Sequence, residues 1–273
     1  MTVPMNAIRT SLTIAKTKFT MIIVADIGNS RIKWGLCRPN AIEKSAALAP
    51  DDPDAWRAQL TAWKLDTPSD WTVAGVHPVR RDRFADWLRQ RGDRVRILDR
   101  VSDLPIPVKV EHPDRVGIDR VLNVLAAKAL VPAGTPAVVV DAGSAVTVDL
   151  LDETGAFAGG AIFPGYRLMA EALHTYTAQL PLVDVATQPT VAPAGTTATA
   201  IAAGIHWAVV GGVYALIRTT CLQAPFPDPL PVFLTGGDAA AIQPDLPESD
   251  GFRYELRPTL TLDGIRIAAG AVP

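Results

Sequence analysis

The chain has 273 residues, with 26 Lys and Arg against 28 Asp and Glu and a formal net charge of -2. At 48% hydrophobic and 20% charged residues it has a soluble globular composition, long enough for one large domain or two small ones, and it lacks the positive field of a general nucleic-acid binder. The two cysteines, Cys37 and Cys221, and four histidines supply neither a disulfide framework nor zinc-ligand spacing; the cysteines read as small buried hydrophobes in a reducing compartment.

Met1–Ala25 has no acidic residue and carries Arg9, Lys16 and Lys18 among Ser and Thr. That composition also fits a transit peptide, but nothing in it resembles a cleavage site. We read residues 1–20 as an extension ahead of the folded chain, with Met21 opening the first strand. No stretch is expected to reach the roughly 20 apolar residues of a membrane span.

Met21–Ala25 is a β-branched apolar run, and Ile32, Trp34 and Leu36 alternate with Lys33, Gly35 and Cys37. This predicts two strands joined across Asp26–Ser30. The pattern returns at 138–150, where an apolar run ends in Asp141-Ala142-Gly143-Ser144 and a second run follows. Each unit then continues through a further strand into a helical stretch, Asp54–Leu65 in the first and Tyr166–Leu180 in the second. The repeat predicts two similar α/β domains, 21–116 and 117–273, not one long sheet. Trp71–Val76 and Arg94–Leu98 read as strands, and Arg80–Arg91 as a helix. Gly117–Val131 predicts the helix that opens the second half. Thr196–Leu222 is a long Ala-rich helical pattern, expected to break or bend near Gly204 and Gly211-Gly212. Val232–Leu234 is a strand ending in Thr235-Gly236-Gly237-Asp238, and the Pro-rich segments 102–116 and 223–231 are connectors.

A strand ending in Asp26-Ile27-Gly28-Asn29-Ser30 suits phosphate binding. Gly28 allows close backbone approach, while exposed amides, Asn29 and Ser30 donate to phosphate oxygens. Asp26 beside them is a candidate Mg²⁺ ligand, directly or through water. An Asx turn between strands would look the same, but the second copy at Asp141–Ser144 favours two facing turns with a nucleotide between them. Gly117-Ile118-Asp119-Arg120 stands at a helix start, where Asp119 offers an acceptor for a hydroxyl proton and Arg120 a fork for a carboxylate or phosphate.

These three stretches, with Gly159-Gly160-Ala161-Ile162-Phe163-Pro164-Gly165 as a fourth, resemble in order and spacing the type III pantothenate kinases, a family that includes proteins labelled Bvg accessory factor. The likeness runs from about Ile22 to Gly270. It implies duplicated ribonuclease-H-like domains of the actin/sugar-kinase/Hsp70 type around a nucleotide cleft. The implied reaction is phosphorylation of pantothenate by ATP, the first step of coenzyme A biosynthesis, in a cytoplasmic homodimer with the substrate pocket at the subunit interface. Mg²⁺ and a monovalent cation, K⁺ or NH₄⁺, are the implied cofactors; no nucleic acid or membrane partner is implied. Carried over by position, Asp26, Ile27, Gly28, Asn29, Ser30, Arg31, Ile32 and Lys33 form the ATP-binding turn and Ser144 touches ATP. Asp141 holds the monovalent cation. Gly117, Ile118, Asp119 and Arg120 bind pantothenate, with Asp119 as general base, and Thr197 contacts it across the interface. Val110 stands where family members often carry Tyr. The stretch Ala194-Gly195-Thr196-Thr197 leaves Thr196 as the alternative to Thr197. A kinase of this fold with another hydroxylated substrate, and an accessory protein without turnover, are the competing readings; intact Asp26, Asp119, Arg120 and Asp141 weigh against the latter.

Overall fold

The apolar run ahead of Asp26 forms the central strand of a mixed sheet. The computed structural model describes residues 22–188, 190–221, 227–247 and 251–270, so the expected extension over residues 1–20 lies outside them. The first unit runs β1 (Ile22–Ile27), β2 (Ile32–Cys37), β3 (Ile42–Leu48), α1 (Pro53–Ala62), β4 (Asp70–Gly75), α2 (Pro78–Gln90) and β5 (Arg94–Leu98). Its sheet order is β3-β2-β1-β4-β5, antiparallel from β1 to β3 and parallel from β1 to β5. Helix α1 starts where Asp52 accepts hydrogen bonds from the Asp54 and Ala55 amides and Pro53 occupies the first turn.

After a connector comes α3 (Ile118–Lys128), followed by β6 (Ala137–Ala142), β7 (Ala145–Leu151), β8 (Phe157–Pro164), α4 (Tyr166–Thr175), α5 (Thr197–Cys221), β9 (Leu230–Thr235), α6 (Ala239–Ile242), β10 (Phe252–Leu256) and α7 (Leu260–Ala268). The second sheet has the order β10-β9-β6-β7-β8, the same arrangement as the first read from its other end. The duplication expected from the repeated turn is therefore present strand for strand.

Five layers result. Trp34, Trp56, Trp71 and Phe84 pack β1, β2 and β4 against α1 and α2 on the outer face of the first sheet. Trp34 meets Trp71 edge-on at 5.0 Å between centroids, and Trp56 Nε1 donates to the Ala49 carbonyl at 3.0 Å. Trp56→Phe, which removes that donor and part of the ring, is expected to cost about 1–2 kcal/mol, read as a lowered midpoint in urea. Helices α3 and α7 lie between the sheets, with Val24 and Ala74 on one side and Val139 and Phe233 on the other. They approach so closely that a Cβ at Gly264 would stand 2.1 Å from the Leu122 carbonyl oxygen. Arg266 of α7, almost buried, donates to the Pro39 carbonyl at 2.8 Å and ties the last helix to the first unit. The outer face of the second sheet is covered by α4 and α5.

Helix α5 runs unbroken from Thr197 to Cys221, so of the break or bend expected near Gly204 and Gly211-Gly212 the break does not occur. Gly212 packs on the Phe163 ring, where an added Cβ would sit 3.4 Å away, so this glycine serves close packing in an intact helix. Nor does the expectation about membrane-length segments hold: Thr197–Thr220 has the length and apolarity of a span, with mean hydropathy 1.8. Its Ile201, Ile205, Val209, Val213 and Ile217 are buried against the second sheet, which makes it a core helix. Cys37 is buried as expected, its thiol pushed up to about 12 chiefly by burial; the Cys221 side chain lies outside the described residues. Helix α4 ends at Thr175, short of Leu180, and β10 and α7 have no counterpart in the sequence reading.

Candidate active site

The two repeated turns face each other. In the first, the Gly28 amide donates to the Arg31 carbonyl at 3.1 Å and closes the β1–β2 connection. In the second, the Gly143 amide donates to the Ala145 carbonyl at 3.1 Å. Ser30 Oγ and Ser144 Oγ lie 2.8 Å apart, so the tips of the two turns touch across the cleft. Behind the second turn, Gly165 donates its amide to the Ser144 carbonyl at 3.1 Å, and a Cβ on it would stand 2.1 Å from the Gly143 carbonyl oxygen. Behind the first, Arg80 of α2 donates Nη1 to the Asn29 carbonyl while its Nη2 meets Asp51 at 2.9 Å. Ile27 and Ile32 are fully buried core side chains, which leaves only their backbone to the turn. Lys33 is the ladder partner of Asp26, and its charge acts on that carboxylate. Arg31 reaches electrostatically across the cleft to Asp238.

Asp26 ends β1 with 8% exposure and is pushed up to about 7, first by burial, against the pull of Lys33 and with the push of Asp119 and Asp141. Asp141 ends β6 in the equivalent position and accepts from Asn123 Nδ2 at 3.0 Å. Its other oxygen lies under Gly236, a residue at φ +95° whose Cβ would be 2.5 Å from that oxygen and 2.2 Å from the Ala142 carbonyl. Glycine is required there by both conformation and space. Asp119, in the first turn of α3, is pushed up to about 6, mainly by burial and then by Asp141. Its Oδ1 accepts the Arg120 amide at 2.8 Å. The helix cap, Gly117, has no side chain to compete for the helix end.

Arg120 points away from solvent onto Asp149 of β7. Its Nε donates to Asp149 Oδ1 at 2.9 Å and its Nη2 to the same oxygen, with the guanidinium over the Phe157 ring, 5.5 Å from the centroid. Thr147 Oγ1 donates to Asp149 Oδ2 at 2.9 Å. Asp149, Asn123 and Arg80 escaped the sequence reading. The one available signal was Asp149 itself, a carboxylate inside an apolar strand, which demands a partner. Thr197 opens α5 on the surface, and among the described residues no hydrogen bond links it to Asp119 or Arg120. Thr196 is occupied as a helix cap, its Oγ1 accepting from the Thr199 amide at 3.2 Å.

The sequence pattern of the type III pantothenate kinases matches residues 22–219. The chain belongs to that family. It is 34% identical to the type III pantothenate kinase of Gluconobacter oxydans over 264 residues, covering 91% of this chain and 93% of that one. It is 35% identical to that of Acidiphilium cryptum over 267 residues, covering 91% and 94%. Among solved structures it is similar to the activator of the 2-hydroxyisocaproyl-CoA dehydratase from Clostridium difficile with bound ADPNP, at TM-score 0.54 and 12% identity over 92% of this chain and 96% of that one. It is also similar to component A of the Acidaminococcus fermentans (R)-2-hydroxyglutaryl-CoA dehydratase, at TM-score 0.51 and 14% identity over 92% and 99%. At such identities the likeness concerns the fold, which is of the actin/sugar-kinase/Hsp70 type. In this type III pantothenate kinase the Gly-x-Asp-Arg stretch stands at the part-buried start of α3, where Asp119 acts electrostatically on Asp26 of the first turn and feels Asp141 of the second. Next to Gly117 and Ile118 opens a cavity of about 810 Å³ whose walls include Val76, Val101, Ile106 and Val116.

Proposed function

We propose that this type III pantothenate kinase transfers the γ-phosphoryl group of ATP to the primary hydroxyl of pantothenate, with Asp119 as general base. The observation that carries the assignment is Asp119 itself: a carboxylate pushed up to about 6, beside the facing turns and directly after Gly117 and Ile118, which line a cavity. A base whose pKa lies close to the working pH is ionised and still accepts a proton readily. As the hydroxyl oxygen bonds to the γ-phosphorus, its proton passes to Asp119 and the bond from phosphorus to the ADP oxygen breaks. Phosphoryl transfer of this kind is mostly positioning and charge neutralisation. The amides and hydroxyls of 26–33 and Ser144 supply the first, and Arg120 supplies a donor for the acceptor or the moving phosphoryl group. The cavity is lined by Gly117 and Ile118; Val76, Val101 and Ile106 in its wall suit the methyl-bearing carbon of pantothenate, and Arg81, Arg100 and Arg115 its carboxylate.

The residues present fit cations. The charges of Asp119 and Asp141 act unfavourably on the buried Asp26 carboxylate, and that of Asp141 on Asp119. Beside Asp141, Asn123 Oδ1 and Thr235 Oγ1 are buried oxygens without a hydrogen-bond partner. Asp26 would hold Mg²⁺, directly or through water, and Asp141 with those oxygens would hold K⁺ or NH₄⁺. Such cations, when bound, neutralise phosphate charge. Among the described residues no three carboxylate, histidine or cysteine groups converge as a metal site, so the nucleotide itself would complete the Mg²⁺ shell. A homodimer through the second unit, with Thr197 reaching the partner's pocket, is supported by the exposed apolar side chains Ile162, Leu168, Leu182, Val191 and Trp207. ATP supply and a reduced buried thiol suit a cytoplasmic enzyme.

The test is ADP release from ATP. Turnover that requires pantothenate and Mg²⁺ and rises with K⁺ is expected; ATP binding without pantothenate-dependent turnover would overturn the assignment. Light scattering on an eluting peak reads the dimer.

A further inference from the structure

The grip of Asp149 on Arg120 is more elaborate than a stabilising ion pair needs. Taking both charges out of water costs about as much as their attraction returns, so a buried pair is poor evidence of stability. Yet four features build this one. Asp149 is fully buried and Arg120 is 14% exposed at its side chain. Thr147 holds the second carboxylate oxygen, and Phe157 supports the guanidinium plane. Gly160 on β8 leaves the room: a Cβ there would stand 2.5 Å from Asp149 Oδ1. The same Cβ would stand 2.1 Å from the Val148 carbonyl oxygen, so the β7 backbone and the carboxylate together exclude a side chain at the second glycine of the Gly159-Gly160 stretch.

The carboxylate occupies only one edge of the guanidinium, the Nε and Nη2 edge. Among the described residues nothing accepts from Nη1. Arg120 adjoins Asp119 in sequence, so the unfilled edge belongs to the residue next to the base.

We propose that Asp149 is a positioning residue for phosphoryl transfer, gripping one edge of Arg120 so that the Nη1 edge is presented, already fixed, to the acceptor beside Asp119. This rests on the pantothenate kinase reading above. A planar fork held on one side offers its other donors without losing the rotamer freedom that a loose arginine gives up on binding. The carboxylate also offsets the guanidinium charge close to the base. The charged groups acting on Asp119 are Asp141 and Asp149, from β6 and β7, which raise its pKa, and Arg120, which lowers it; Asp119 in turn raises Asp26 of β1. With Asp149 neutral, Arg120 would draw Asp119 down and the base would titrate at lower pH.

Asp149→Asn and Thr147→Val are to be compared with wild type in steady-state kinetics across pH, in thermal melts, and by ¹⁵N NMR of arginine Nε–H groups in the substrate-free enzyme. For Asp149→Asn, kcat/KM for pantothenate is expected to fall by about 100-fold, the scale of a misplaced positioning group. KM for ATP should stay unchanged, and the acid limb of the rate profile should move to lower pH. Thr147→Val should show a smaller loss of the same selectivity. Beside the protected Nε–H groups of Arg91 and Arg266, wild type should show a further slowly exchanging Nε–H that Asp149→Asn removes. A folded Asp149→Asn with wild-type pantothenate kinetics and an unmoved acid limb would overturn the proposal, as would equal losses for both substrates. If Asp149→Asn does not fold, unchanged kinetics and an unchanged Nε–H signal in Thr147→Val would overturn it. Wild type without pantothenate turnover would sink the substrate reading, while the Nε–H signal would still judge the grip on Arg120.

Discussion

Asp119→Asn is expected to lower kcat by about three orders of magnitude, within the range a positioned general base contributes, while binding of ATP persists. The amide keeps the size of the carboxylate and its bond from the Arg120 amide but accepts no proton. In wild type, a pKa near 6 means that activity should fall as pH drops through that value, because the protonated acid is no base. The same shift has a cost in stability. Asp119 titrates near 6 in the folded chain against 3.8 as its ordinary value, so between those pH values the folded state binds more protons than the unfolded. Stability therefore declines as pH rises from about 4 to 6 and stays lower above. The asparagine variant escapes this penalty and should be more stable than wild type at pH 8 by about 2–3 kcal/mol. Urea unfolding at pH 8 and pH 4 measures it. A variant that is both dead and stabilised at pH 8, but not at pH 4, is the signature of a functional buried carboxylate. Equal stabilities at pH 8 would show that the carboxylate is not strained.

Gly165→Ala is the second large effect expected. The residue has ordinary extended backbone angles, so the obstacle is space, not conformation. Its added carbon would stand 2.1 Å from the Gly143 carbonyl oxygen and 2.9 Å from that of Ser144. Both contacts are with backbone, which no rotamer change relieves. Either α4 shifts or the 143–144 turn moves and loses the Gly165 amide bond to Ser144. A loss of about 2–4 kcal/mol is expected, with KM for ATP rising far more than KM for pantothenate. Calorimetry and initial rates decide it; unaltered ATP kinetics would show that the second turn does not face the nucleotide.

Much of the site was legible because it is built at strand ends. An apolar run stopping at Asp-x-Gly announces a buried carboxylate beside a tight turn, and meeting the pattern at both Asp26 and Asp141 exposed the duplication. The structure sets both carboxylates at equivalent ends of equivalent strands. Asp149 and Arg80 were not legible, since their meaning lies in partners on other elements: Arg120 on α3 for one, the Asn29 carbonyl for the other. The glycines of α5 misled because helix propensity treats them as breaks, whereas the Phe163 ring uses the space at Gly212. Strand β10 gave little signal, as its Arg253 and Glu255 face outward at an edge and pair with each other. Helix α7 is short and its apolar residues meet only distant parts of the chain.

The placement of α7 has a consequence for synthesis. Residues 260–268 close the space between the sheets, against strands made at the very start of the chain. While the polypeptide is still emerging, the inner face of the first sheet has α3 for cover but lacks its other helix. Val24, Cys37 and Ala74 complete their surroundings only once Leu260–Ala268 has emerged. A nascent chain stalled before Leu260 should therefore present an apolar seam to chaperones, and a stop codon at Leu260 should harm the amino-terminal sheet as much as the carboxy-terminal one.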